Sequence, residues 1–475
     1  MNLNKAVQLI RGPKDTMVRL KIVGPAASAA TSTEITLKRD EIKLEDSAAK
    51  AKIIELPNPE NGVSLRLGVI DLPSFYAPFD LGARRMELAK SGEGNAPKTT
   101  TADVLLLLKK LKDENVAGII LDLRRNGGGS LEEAIKLTGL FIKEGPVVQV
   151  RSFDPANHNK ENIEQEPDRD PTVAYGGPLI VLTSKFSASA SEILAGALQD
   201  YGRAVIVGDA STHGKGTVQS VNPLSNYLRL PASFTNDPGA LKLTIKKFYR
   251  ASGGSTQLKG VVPDIILPSI FNESKEFGES AQENPLPWDT IKSAEYEKLN
   301  LVSPYLTELR KNSQQRVAKD REYDYVREDI EQYRKLQADK TVSLNEKKRL
   351  KEKEELEARQ KSRDKERSAR KESLDKVYEL NLKQAALPGL PAPTSAQKTN
   401  GLAKFTTPDP AHTNATEAAE ADAPEIKRGD DADEEKPAVP DVALLEAEHI
   451  LVDYISVLPR PDLLTAGGTK AETIR

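Results

Sequence analysis

The chain contains no cysteine, so neither a disulfide nor a thiolate metal site is available to it. Histidine is nearly as scarce. His158, His213, His412 and His449 are scattered, and no two have the spacing that places a pair of metal ligands on one helix face. No metal or other cofactor is therefore expected. Long apolar runs are also missing. None approaches the roughly 18–20 residues that cross a bilayer, so no transmembrane segment is expected. The first twelve residues are too polar, and their apolar part too short, for a signal peptide. An excess of either charge is lacking as well: 68 Lys and Arg stand against 71 Asp and Glu. Whole-chain charge gives no argument for a nucleic-acid partner, and none is expected.

What is present is 475 residues, enough for two to four domains. They are organised around one stretch. An apolar strand, Pro178–Thr183, leads through Phe186-Ser-Ala-Ser-Ala-Ser-Glu-Ile193 into a helix. A serine there lies beside unpaired backbone N–H groups and the positive end of the helix dipole, where a nucleophile and an oxyanion are both stabilised. A second strand, Arg203–Gly208, is followed by Gly214-Lys215-Gly216, whose glycines leave the lysine uncrowded. The residues read as a serine nucleophile with a lysine base. The bland alternative is a helix cap: Ser189 with Glu192 fits a capping box. A lysine base needs its pKa brought down from about 10.4 towards 7–8, about 4 kcal/mol against the ammonium, which burial can supply. A less attractive alternative recruits His213, in the polar turn Ser211–His213, with Asp200 or Asp122.

Upstream, the strand Val116–Arg124 ends in Arg125-Asn126-Gly127-Gly128-Gly129 before a helix from Ser130. Such glycines can turn backbone N–H groups towards a ligand, although a tight turn is the simpler reading. A P-loop is excluded, because Lys215 is followed by Gly216 and no strand–Gly-x-x-x-x-Gly-Lys-Ser/Thr unit exists. A helix with apolar positions Val104, Leu105, Leu108 and Leu111 precedes the strand. Alternating strands and helices predict a mainly parallel α/β core. Residues 82–101 and 154–170 read as polar loops. From about Asn272 the composition changes. Lys292–Leu382 reads as charged helix, its middle a solvated arm rather than a nucleic-acid patch. Residues 387–441 read as disordered linker. Residues 442–458 form an amphipathic helix that is expected to dock, most simply on the helical region.

Taken together, several motifs resemble the tail-specific, or C-terminal processing, serine peptidases. They are Leu9–Lys14, Arg39–Asp46, Asp122–Gly129, Phe186–Ile193, Gln199–Arg203, Gly214–Gln219, Lys246–Arg250, Gly253–Gln257, Gly260–Asp264 and Leu286–Asp289. The match covers roughly residues 5–385 and fits the subgroup with a long helical C-terminal extension. The resemblance implies a crotonase/Clp-like spiral α/β core after a PDZ domain, of which residues 1–24 would be the last helix and strand. The catalytic domain would span 25–270, the helical C-terminal domain 271–386, the linker 387–441 and the docking helix 442–459. It implies an ATP-independent endopeptidase that recognises an apolar C-terminal tail on protein substrates, sometimes with an adaptor, in the periplasm. By alignment Ser189 is the nucleophile, Lys215 the general base and Gln219 its orienting partner. Ala190 N–H with Gly127 or Gly128 N–H would form the oxyanion hole, and Asp200 is taken as structural. The chain departs from the family in two places. It looks truncated within the PDZ domain, and the turn before Gly214 is one residue longer, with His213 in place of an aromatic. An inert scaffold that binds a partner through its helical extension is the competing hypothesis.

Overall fold

A computed structural model describes residues 9–23, 32–40, 48–56, 64–77, 98–153, 161–228, 238–339, 341, 343–370, 375–395 and 439–459. The expected linker from 396 to 438 and most of the expected loop at 82–101 lie outside them. The chain divides into two compact units, Met1–Ala48 and Ala49–Arg475.

In the first unit, β1 (Met17–Val23) and β2 (Ser32–Lys38) pair antiparallel, with Met17 opposite Lys38. The expected boundary at residue 24 thus falls between two strands that pair with each other. Arg39 ties the pair to the preceding segment. Its guanidinium donates to Ile10 O at 2.7 Å and to Thr16 Oγ1 at 2.9 Å.

The second unit begins with β3 (Lys50–Leu56), β4 (Leu65–Asp71), α1 (Thr100–Asp113), β5 (Gly118–Asp122) and α2 (Leu131–Gly139). Then come β6 (Gly145–Phe153), β7 (Glu161–Asp168), β8 (Leu179–Thr183), α3 (Ala190–Asp200), β9 (Val205–Gly208), β10 (Thr217–Pro223), β11 (Ala240–Arg250) and β12 (Ile265–Ile266). The C-terminal part carries α4 (Leu306–Lys319), α5 (Arg321–Ala338), α6 (Glu346–Ser368), β13 (Lys376–Leu380), β14 (Thr394–Ser395) and α7 (Val442–Val457). The main sheet runs β12-β9-β8-β5-β4-β3-β13-β14, and β4, β5, β8, β9 and β12 are parallel. Strands β4, β5, β8 and β9 join in chain order with α1, α2 and α3 in the connections, so the chain winds through a mixed α/β core as expected. A smaller antiparallel sheet runs β10-β11-β6-β7. Strand β7 corrects the expectation of a loop over 154–170: within the described part of that span, Glu161–Asp168 pairs with β6. Cross-strand pairing overrides its acidic composition.

Parallel strands buried on both faces read as unbroken apolar runs, and period-2 alternation sends their side chains to two cores. Ile119, Leu121, Leu179, Val181 and Ile206 face a core built with α1, α2 and α3. Ile120, Ile180, Leu182, Val205 and Val207 face the other way. That second face is covered by Leu309 of α4 and by Leu444, Ala447, Ile450, Leu451 and Tyr454 of α7. The terminal helix therefore lies on the main sheet, with α4 beside it, rather than on the helical region alone. Arg316 of α4 binds Glu446 at 2.9 Å and Asp453 at 2.6 Å. The expected separation of residues 271–386 is also crossed by β13, which pairs antiparallel with β3. Residues 387–389, expected as the start of the linker, are held by the buried Lys110 Nζ on Leu387 O and Gly389 O.

Helix α1 starts at Thr99, whose side chain accepts from Ala102 N, and it buries Val104, Leu107, Leu108 and Leu111. Leu105, expected in the core, is 46% exposed, because Leu107 takes its place on the packed face. Helix α6 is solvated, as its charge pattern predicts, apart from Arg363 and Arg367, which lie 4.7 and 5.4 Å from the Tyr325 ring. No helix among the described residues is long and apolar enough to cross a membrane.

At the contact of α7 with β5, a Cβ on Gly118 would stand 2.7 Å from Leu451 Cδ1. Leu451→Ala is expected to destabilise the chain by about 2–5 kcal/mol, through lost burial and the cavity left on a sheet that cannot collapse. Equilibrium denaturation reads this directly, and a change under about 1 kcal/mol would contradict the packing of α7 on β5.

Candidate active site

Strand β8 delivers residues 184–189 to the N-terminus of α3, opposite the loop that follows β5. The serines of this segment separate by environment. Ser187 is buried, and its Oγ donates to Leu123 O at 2.7 Å while accepting from Ser184 N. Ser191 is buried, and its Oγ donates to Asn126 O at 2.8 Å. Both hydroxyls bind the backbone of the neighbouring loop. Ser189 is only half-buried, and its backbone is left-handed at φ 54°, ψ −111°. A non-glycine residue held there carries about 1–3 kcal/mol of strain, a feature that clusters at functional sites.

Asn126, fully buried, organises the glycine loop. Its Nδ2 donates to Leu72 O, its Oδ1 accepts from Gly128 N at 2.9 Å, and its carbonyl accepts from Ala188 N at 3.1 Å. Gly128, at φ 107°, sits so close to the serine that a Cβ on it would stand 2.8 Å from Ala188 O and 2.9 Å from Ser189 Cβ. Gly129, at φ 143°, packs on the Phe75 backbone. Gly127 faces open space. Among the described residues, neither Gly127 N–H nor Ala190 N–H donates to a protein acceptor, whereas Gly128 N–H is taken by Asn126.

Glu192, fully buried on α3, joins the serine to the lysine. Its Oε2 accepts from Ser189 N at 2.8 Å and from Lys215 N at 3.0 Å. Its Oε1 accepts from Thr212 Oγ1 at 2.6 Å and from Gly214 N at 2.7 Å. Burial pushes the carboxyl up to about 7, although all four hydrogen bonds pull it down. The Lys215 amine donates to Gln219 Oε1 at 2.9 Å. Gln219 opens the stretch after a bulge between Val218 and Gln219, a device that re-aims a strand side chain. Burial, then repulsion from Lys242, lowers the Lys215 pKa, while Glu279 and Glu192 act against that. The flanking glycines have a different reason from the one expected. Cβ atoms on Gly214 and Gly216 would meet the backbones of Leu258 and Gln257 at 2.9 and 2.8 Å, so packing requires glycine there.

The structure thus brings Ser189, Lys215, Gln219, Ala190, Gly127 and Gly128 to one place. Among the described residues no hydrogen bond joins Ser189 Oγ to Lys215 Nζ, so proton transfer between them needs the two side chains to come together. Catalytic contacts are often long before substrate binds. The His213 alternative lacks its parts. His213 Nδ1 is buried without a hydrogen bond, 3.8 Å from Glu279, and burial lowers its pKa. Asp200 is held by Arg250 and Asp122 by Arg124. Sequence reasoning missed Glu192 as more than a cap, and it missed Asn126 and Thr212. The available signal was an acid at position 192 directly before the apolar run 193–198.

Gly128→Ala is expected to slow labelling of Ser189 by a serine-directed fluorophosphonate at least about 100-fold, since the added methyl displaces the serine turn. Gly127→Ala, with open space for its methyl, is expected to keep the wild-type melting temperature. Labelling rates and thermal melts of both variants check this, and a Gly128→Ala chain that labels at the unmutated rate would contradict the close approach.

A serine at a helix N-terminus beside unpaired N–H groups, with a lysine tied to the same buried carboxylate, defines a serine-hydrolase type of site. Residues 66–267 match the model of peptidase family S41, and residues 272–456 match the C-terminal domain of tail specific protease. Residues 66–267 belong to peptidase family S41. It is 40% identical over 350 residues to a tail-specific protease of Haemophilus influenzae, covering 73% of this chain and 45% of that protein. It is 30% identical over 265 residues to the carboxy-terminal processing protease CtpA of Bacillus subtilis, covering 56% and 46%. The chain spans under half the length of these curated relatives. A solved photosystem II D1 C-terminal processing protease is similar at 24% identity, 56% of this chain and 59% of that one, with a TM-score of 0.36.

Proposed function

We propose that the chain is an ATP-independent serine endopeptidase in which Ser189 is the nucleophile and Lys215 the general base. The observation that carries this reading is the Glu192 carboxylate, which receives the backbone N–H of both residues on one oxygen. In the mechanism, neutral Lys215 leaves Gln219 and takes the Ser189 hydroxyl proton as Oγ attacks the scissile carbonyl. The oxyanion forms against Ala190 N–H and Gly127 N–H. Gly127 is favoured over Gly128, because Gly128 N–H already serves Asn126. Lys215 then returns the proton to the leaving amine, and water, activated by the same lysine, releases the acyl product. Gln219 holds the amine between turns. The proposed substrates are proteins bearing an apolar C-terminal tail, with or without an adaptor, and the proposed compartment is the periplasm. These follow from the family to which residues 66–267 belong.

The test is cleavage of an unfolded reporter with an apolar C-terminus by the chain and by Ser189→Ala, Lys215→Ala and His213→Ala. Activity should vanish in the first two and persist in the third. An inactive unmutated chain, or an active Ser189→Ala, would overturn the reading and favour a scaffold that works through its helical extension.

A further inference from the structure

Arg124 lies two residues before Asn126, in the same turn that carries Gly127. Its guanidinium is shared by two carboxylates. Nε and Nη2 bind Asp122, while Nη1 and Nη2 bind Asp441 Oδ1 and Oδ2, each at 2.7 Å. This is a planar two-pronged pair with fixed geometry. The Arg124 carbonyl accepts from Ser184 Oγ, on the segment that leads to Ser189. Asp441 is also the N-cap of α7, its Oδ1 accepting from Leu444 N at 3.1 Å. One carboxylate therefore serves both the start of the terminal helix and the root of the glycine loop, across 317 residues of chain.

We propose that Asp441, acting through Arg124, is a positioning residue that sets the 124–128 loop, so that docking of the terminal helix tunes the oxyanion site from the opposite face of the sheet. The proposal rests on the reading of Gly127 and Ala190 as oxyanion donors. Lifting α7 removes Asp441 from Arg124, leaves the outer edge of the guanidinium unpaired, and frees the loop root to shift. A shift well under 1 Å at Gly127 is enough to weaken transition-state stabilisation without changing substrate binding.

The experiment compares full-length Asp441→Asn, Arg124→Lys and Glu446→Gln with the unmutated chain. Asparagine keeps a capping oxygen but loses the charge, and lysine keeps the charge but loses the fork. Glu446→Gln loosens α7 at Arg316 without touching Arg124. For each, the melting temperature, kcat and KM on the reporter and the rate of Ser189 labelling by a fluorophosphonate are measured below the melting temperature. Asp441→Asn and Arg124→Lys are expected to lower kcat and labelling about tenfold with KM within about twofold. Glu446→Gln should melt lower yet keep kcat. The proposal is overturned if Asp441→Asn and Arg124→Lys label at the wild-type rate, or if all three variants lose activity only in step with their melting temperatures. Absence of Ser189 labelling in the unmutated chain would instead overturn the peptidase reading, and this proposal with it.

Discussion

Lys215→Ala is expected to slow acylation of Ser189 by about 10³–10⁴-fold while leaving reporter KM nearly unchanged, as loss of a general base does. The double variant with Ser189→Ala should be no worse than Ser189→Ala alone, because the two residues act as one unit. The pH profile carries the sharper information. Burial and the Lys242 ammonium favour the neutral amine, and Glu279 and Glu192 favour the charged one. The base works only when neutral, so the rate should rise with pH, with a midpoint below the ordinary lysine range. Lys242→Ala removes a repulsion, stabilises the ammonium and should move the midpoint to higher pH. Glu279→Gln removes an attraction and should move it to lower pH. The Lys242 shift should be the smaller, since Lys242 is exposed and screened by salt. Midpoints that move the other way, or a Lys215→Ala chain within tenfold of wild type, would remove the lysine from the mechanism.

The parts of this site that were legible in the sequence are those whose chemistry is local. An apolar strand running into a small-residue helix start placed a serine within 187–191, and the resemblance to the tail-specific peptidases chose Ser189. A glycine-flanked lysine placed Lys215, and a glycine run after a buried strand placed residues 127–129. Spacing alone did not show why Ser187 and Ser191 differ from Ser189, since that depends on the carbonyls of Leu123 and Asn126, more than sixty residues away. Glu192 was hidden for the same reason. Three of its four donors lie at 212–215, on a turn that reaches the α3 N-terminus only in the folded chain. In the fold, the parallel strands were readable from their unbroken apolar runs. Their second covering layer, α4 and α7, and the added strand β13 were not, because these elements return to the sheet from the far end of the chain, and sequence separation conceals such contacts. Edge strand β7 was missed because its Glu-rich composition carries no apolar alternation.

Removing the Glu192 carboxylate should be as damaging as removing a reacting group, although Glu192 touches no substrate. In Glu192→Ala four donors, two of them buried, lose their acceptor at once, and acylation is expected to fall about 10²–10³-fold, with about 3–5 kcal/mol of stability. Glu192→Gln separates the contributions. A single amide oxygen can serve Ser189 N and Lys215 N, while the NH2 group then faces the other two donors, Thr212 Oγ1 and Gly214 N; the hydroxyl can turn to accept from it, but the Gly214 N–H is left unpaired at about 1–3 kcal/mol. Its activity should therefore lie between alanine and wild type. The pH response has opposite signs for stability and rate. The folded carboxyl is raised to about 7 from 4.5, so its contribution to stability is fully present below about 4.5 and is lost as pH rises through about 7. The difference amounts to about 3 kcal/mol. Catalysis needs the ionised form, the only one that accepts from all four donors, so the rate should climb over the window in which this stability is lost. Glu192→Gln should flatten the stability change between pH 5 and 8 and delete the part of the rate profile that titrates near 7, leaving only the lysine limb. Denaturation midpoints and reporter rates across that range measure both. A Glu192→Gln chain with the wild-type profile in both would show that the carboxylate does no more than cap a helix.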